Sequence, residues 1–170
     1  MSDTADNLQR LDALLRKKYP AAYATLRPGV PGRLSPKHPC AAWFEWKDGQ
    51  DHSTEELLGM YRFIPLQEAQ DYPREMRRGL WTNLLSAVVI LVLVHKALYS
   101  WPLLMDASGA GFYFNRVRGK VYYQLEGEQD RYFASFDQFV EFLIEFASTE
   151  RRGNNEMAER EVELLSRYTR

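Results

Sequence analysis

The stretch 101–124, "WPLLMDASGAGFYFNRVRGKVYYQ", limits the possible folds more than any other part of the chain. Three apolar runs, Pro102–Met105, Gly111–Phe114 and Lys120–Gln124, are separated by short links that contain glycine. Strands joined so closely pair as antiparallel hairpins, because a parallel pair needs a crossover of a dozen or more residues. Tyr132–Phe133 extends this meander by one short strand. The link "MDASGAG" has two readings, a ligand-cradling loop or a reversal between strands. A phosphate cradle leads into a helix N-terminus, whereas these glycines lead into "FYFN", which reads as a strand. The reversal is therefore expected, with Gly109 and Gly111 supplying positive φ and Asp106 accepting backbone N–H bonds.

Helical periodicity lies on both sides of the meander. In "SFDQFVEFLIEFA", Ser135 is placed to cap a helix whose apolar stripe is Phe136, Phe139, Val140, Leu143, Ile144 and Ala147. "DNLQRLDALLRKKY" puts Leu8, Leu11, Leu14, Leu15 and Tyr19 on one face, with Asp6 or Asn7 as its cap. Pro20 either ends that helix or begins a short second one. "RPGVPGRLSPKHP" reads as an irregular loop. "CAAWFEWKDGQ" is a short helix ending at a glycine or a strand entering a turn. Met60–Ile64 reads as a strand, Pro65 as a turn, and "LQEAQ" as a helix start. Helical spacing resumes at Arg74. "AVVILVLV", Ala87–Val94, is apolar on all sides and is either a buried helix turn or a central strand. A strand meander combined with flanking amphipathic helices predicts an α+β fold with one mainly antiparallel twisted sheet. "EMAEREVELLSRY" closes the chain as an amphipathic helix.

Composition narrows the function. The 170 residues are enough for one domain with a real core. Their net charge of -1 conceals alternating blocks: residues 41–71 carry seven acids against two bases, and residues 72–120 carry seven bases against two acids. Such blocks suit solvated helix faces or a charged protein partner. The basic residues are scattered and no RNP-like aromatic motif occurs, so nucleic-acid binding is not expected. One cysteine, Cys40, and a start without a basic n-region or apolar h-region point to the cytoplasm. The apolar run Leu84–Leu98 is interrupted by His95 and Lys96 and falls short of the roughly 20 residues of a membrane span. His38, His52 and His95 lie far apart with no ligand spacing, so no metal or other cofactor is expected. Ser108 lacks a nucleophile-elbow context, and Cys40 has no neighbouring base. Trp43, Phe44, Trp46, Trp81 and Trp101 are expected in the core, with some as interface anchors.

Four stretches in order, "AWFEWKDGQ", "YRFIPLQEAQ", "WPLLMDASGAGFYFN" with "GKVYYQ", and "ASFDQFVEFLIEF", resemble the SUKH superfamily. That superfamily includes fungal cell-wall assembly regulators and many bacterial immunity proteins. The matched residues, 41–70 and 101–146, make up a little under half of the chain. The chain departs from the pattern in its Pro-rich segment before "AWFEW", in "FYFN" where an acidic strand end is usual, in the apolar "AVVILVLV", and in the helix after residue 153. The resemblance implies a SUKH-like α+β domain over residues 1–150, with 151–170 a C-terminal helix packed on or extending it. It also implies a non-enzymatic protein that binds and neutralises a cognate toxin domain, with no nucleic-acid or membrane partner; a regulatory scaffold is the alternative. For a basic toxin, the expected partner-binding residues are the acids beside Trp43 and Trp46, namely Glu45, Asp48, Asp51 and Glu55, and the acidic turn Glu126, Glu128 and Asp130. Oligomeric state is left open.

Overall fold

The computed structural model describes residues 4–51, 56–82, 99–125, 129–149 and 154–170. Ala87–Val94, Glu55, Glu126 and Glu128 lie outside these residues. The fold is α+β. The described elements are α1 (Thr4–Lys18), α2 (Pro20–Ala24), α3 (Ala41–Trp46), β1 (Arg62–Phe63), α4 (Leu66–Thr82), β2 (Ser100–Met105), β3 (Gly111–Asn115), β4 (Lys120–Gln124), β5 (Arg131–Tyr132), α5 (Phe136–Ser148) and α6 (Asn154–Tyr168).

The strands form one antiparallel sheet in the order β1-β2-β3-β4-β5. Tyr113 faces Pro102 and Tyr122 across the ladder, and Phe112 faces Leu104 and Tyr123. The β2–β3 register shifts between Pro102 and Leu104. Proline has no N–H for a ladder, and in an interior strand it sits at a bulge. The "MDASGAG" link is a strand reversal: Asp106 Oδ1 accepts from the Ser108 and Ala110 N–H groups at 2.8 and 2.9 Å. Gly109 and Gly111 there have φ of 87° and 155°.

Strand alternation sorts the aromatics onto two faces. Phe112, Phe114, Val121 and Phe133 join the main core, where Phe112 meets Phe139 and Phe142 of α5. α1 packs against α5 and adds Leu8, Leu11 and Leu15. On the opposite face Tyr113, Tyr122 and Tyr132 stack in a row, and Tyr72 of α4 lies against Tyr113. Ser135 caps α5 as expected, accepting from the Gln138 N–H at 3.1 Å. The buried stripe of α5 is wider than the one read from the sequence, since Phe142 and Phe146 are also fully buried. α6 covers α5 on its far side and contributes Met157, Leu164 and Leu165 to the same core.

Of the alternatives left open by the sequence, Pro20 begins a short helix and "AAWFEW" is helical. Several other boundaries differ from the sequence reading. The strand expected over Met60–Ile64 is only Arg62–Phe63, because Leu57 and Tyr61 bond to each other around a turn in which Leu58 has φ 57°. β5 is Arg131–Tyr132, and Phe133 instead bridges to Thr169. α1 is already helical at Thr4, so Asp6 and Asn7 lie within it and do not cap it. Asn7 is wholly buried, and Thr4 ties the start of α1 to Asp137 at the start of α5. α4 runs through Pro73 without a break, although proline removes one helical hydrogen bond.

Candidate partner-binding surface

The first acidic segment follows α3. α3 ends at Trp46, whose indole N–H reaches Asp12 of α1 at 2.9 Å. Beyond it, Asp48 uses both carboxylate oxygens. Oδ1 accepts from the Leu66 N–H at 2.8 Å, which caps α4, and Oδ2 lies 3.4 Å from the Arg27 guanidinium. Gly49 has φ 73°, and a Cβ there would come within 2.4 Å of the Pro65 nitrogen. Gln50 is fully buried: its side-chain oxygen accepts from the Phe63 N–H at 3.1 Å, and its amide donates to Thr25 at 2.8 Å. Arg62 then donates to the Gln50 carbonyl at 3.2 Å and forms a two-pronged pair with Glu68. "DGQ" and "YRFIPLQEA" are thus one unit, built to cap α4 and to fix the edge of β1.

The expected acids therefore differ in standing. Glu45 is exposed and, among the described residues, accepts from the Gly32 N–H at 3.5 Å. Asp51 has two thirds of its side chain exposed and lies 3.5 Å from Arg27. Asp48 is tied into the fold. Asp130 is half-buried just before β5. The Asp48–Asp51 stretch bonds to β1 and Asp130 adjoins β5, so the described acids of the two regions abut opposite edges of the sheet. Four strand spacings separate those edges, about 19 Å.

The residues weighed for chemistry have structural surroundings. His38 stacks on Trp101 at 5.2 Å and its Nδ1 accepts from the Cys40 N–H at 3.1 Å. Burial, and then the Arg116 charge, hold its pKa below the usual imidazole value. Burial pushes the Cys40 thiol up, which disfavours the reactive thiolate. Ser108 donates its hydroxyl to Asp106 at 2.7 Å inside the turn. Trp43 and Trp101 are buried in the core, and Trp46 packs against it half-buried. Among the described residues, no group of three His, Cys, Asp or Glu side chains is placed to hold a metal ion. Nor is any described helix long and apolar enough to cross a membrane.

A second surface escaped the sequence reading. An open groove of about 370 Å³ is lined by Arg10 of α1, by Glu141, Ile144, Glu145 and Ser148 of α5, and by Tyr168 of α6. Glu145 anchors its rim, accepting from Arg160 at 3.0 Å, from Tyr168 at 2.9 Å and from Arg167. The Arg167 hydrogen bond is the main reason that its carboxyl is held below the usual range. Lys18 closes the end of α5 by donating to the Ser148 carbonyl at 2.6 Å. Part of this surface has a sequence signal. Glu141 and Glu145 are four residues apart, and Arg160 and Arg167 are seven apart, so each pair shares a helix face. Which helix faces meet is not encoded in such spacing.

No protein-family model matches the chain, and a comparison with curated proteins gives no match either.

Proposed function

We propose that this protein is an immunity protein of the SUKH type, which binds a cognate bacterial toxin domain in the cytoplasm and blocks it by covering its working surface. One observation supports this reading. The residues that carry the resemblance are spent on the scaffold: Asp48 caps α4, Gly49 and Gln50 lock onto Phe63–Pro65, Asp106 builds the β2–β3 turn and Ser135 caps α5. Such a division keeps the frame fixed and leaves the helix faces free to be fitted to one partner.

On this reading the partner face is the groove between α1, α5 and α6. Tyr168 and Ile144 are its apolar anchors, and Glu141 is the acid that receives a basic toxin side chain. Glu45 and Asp51 add a longer-range field that speeds encounter, an effect that falls with salt. The test is co-expression with the C-terminal domain of the toxin encoded beside the gene, scored for rescue of growth. Rescue and a one-to-one complex are expected. The pair Glu141→Lys with Tyr168→Ala should weaken that complex at least tenfold at moderate salt. Glu45→Lys with Asp51→Lys should slow association at low salt only. Absence of rescue by the wild-type protein would overturn the function. Rescue that survives the groove variants would move the interface elsewhere.

A further inference from the structure

Among the described residues, Glu161 is the one acidic or basic side chain in the buried class. It lies in the middle of α6 and is only 5% exposed. Its carboxylate accepts from the Tyr61 hydroxyl, and Tyr61 is itself 1% exposed. A buried carboxylate is normally paired with a cation. No cation faces this one among the described residues. The facing groups are Tyr61 from the turn before β1, which also bonds to Tyr123 of β4, and Asp106 from the β2–β3 turn, whose negative charge opposes ionisation. The neighbouring cation on α6, Arg160, is turned away toward Glu145 and Glu163.

α6 is also held in a way that permits release. Its apolar grip on the core is Met157, Leu164 and Leu165. Among the described residues, it is also tied by the Glu145 cluster, on the solvent side, and by two backbone hydrogen bonds of 3.1 Å between Arg170 and Tyr132 on the outer edge of β5. The helix thus covers Phe142 through Tyr168 and occupies a sheet edge with the chain's own last residues.

We propose that α6 with residues 169–170 is a detachable latch, whose grip on the domain weakens when the Glu161 carboxyl ionises, opening the β5 edge and the α5 surface beneath it. Desolvation raises the Glu161 carboxyl to about 7, against the lowering effect of the Tyr61 hydrogen bond. A carboxyl raised in the docked state binds its proton more tightly docked than free. Docking is therefore favoured at low pH, and that advantage is lost as pH rises from the usual carboxylate range through 7. The opening equilibrium of α6 should increase by about 30-fold between pH 5.5 and 8.5. On the solvent side, Arg167 holds the Glu145 carboxyl below the usual range, so that pair stays charged across this window and sets a constant background.

The full chain suffices for the test. Carbon-13 NMR of labelled glutamates should show one carboxyl titrating near 7, absent in Glu161→Gln. Hydrogen exchange of the α6 amides, corrected for intrinsic chemistry, should lose protection with rising pH in the wild type and stay flat in Glu161→Gln. Tyr61→Phe removes the donor to the carboxylate and should move the titration upward, which keeps the proposal testable if the glutamine variant folds poorly. It is overturned if every glutamate titrates in the ordinary range, if α6 protection is independent of pH, or if Glu161→Gln keeps the wild-type pH dependence.

Discussion

At the residue scale, Gly109 and Gly111 stand two positions apart in one turn and face different demands. Gly109 has φ 87° but open space where a Cβ would sit. At Gly111 a Cβ would come 2.1 Å from the Leu104 carbonyl oxygen, across the β2–β3 pair. The first position carries only the conformational cost of a left-handed residue, about 1–2 kcal/mol. The second adds a clash with backbone that cannot be relieved by rotating a side chain. Gly109→Ala should therefore lower stability by about 1–2 kcal/mol in urea denaturation, and Gly111→Ala by clearly more. Equal losses would show that φ alone governs this turn. The sequence made both glycines legible as turn residues. It did not reveal the difference between them, because that depends on how closely the neighbouring strand approaches.

At the element scale, the legible parts were those whose signal is local. The meander was visible because its glycine links are short and its strands alternate, and α5 was visible because Ser135 and the apolar stripe lie in one window. The junction of α3, β1 and α4 was not, since Asp48 reaches Leu66 and Gln50 reaches Phe63 across 18 and 13 positions. Asp48 is expected from the sequence as a partner acid, and the fold also uses it to start α4. Its removal should behave as loss of a helix cap: Asp48→Ala should cost about 1–2 kcal/mol, and Asp48→Asn, which keeps an acceptor oxygen, distinctly less. Thermal unfolding of the two variants side by side measures this. If the asparagine variant loses as much as the alanine one, the Arg27 ion pair and not the cap is what stabilises the junction. The groove was illegible for a related reason: periodicity shows that Glu141 and Glu145 share a face of α5, but only the packing of α1 and α6 makes that face a groove.

At the scale of the whole molecule, one apolar core runs from α1 through α5 to the sheet and on to α6, with Phe112 and Phe133 in contact with each other and each with Phe139 and Phe142 at its centre. Leu8 near one end of the chain and Leu165 near the other belong to this same cluster. A core of this extent supplies burial on the scale a folded domain requires. A structural metal stabilises by mass action, since it binds the folded state and not the unfolded one, and its removal lowers the midpoint accordingly. Here the expected result is that exhaustive chelation leaves the thermal midpoint unchanged, and that chain refolded in the presence of the chelator regains the same midpoint. A large drop, or refolding that recovers only when a divalent metal is restored, would mean that side chains which this fold holds apart come together around an ion, and that the aromatic core is not sufficient by itself.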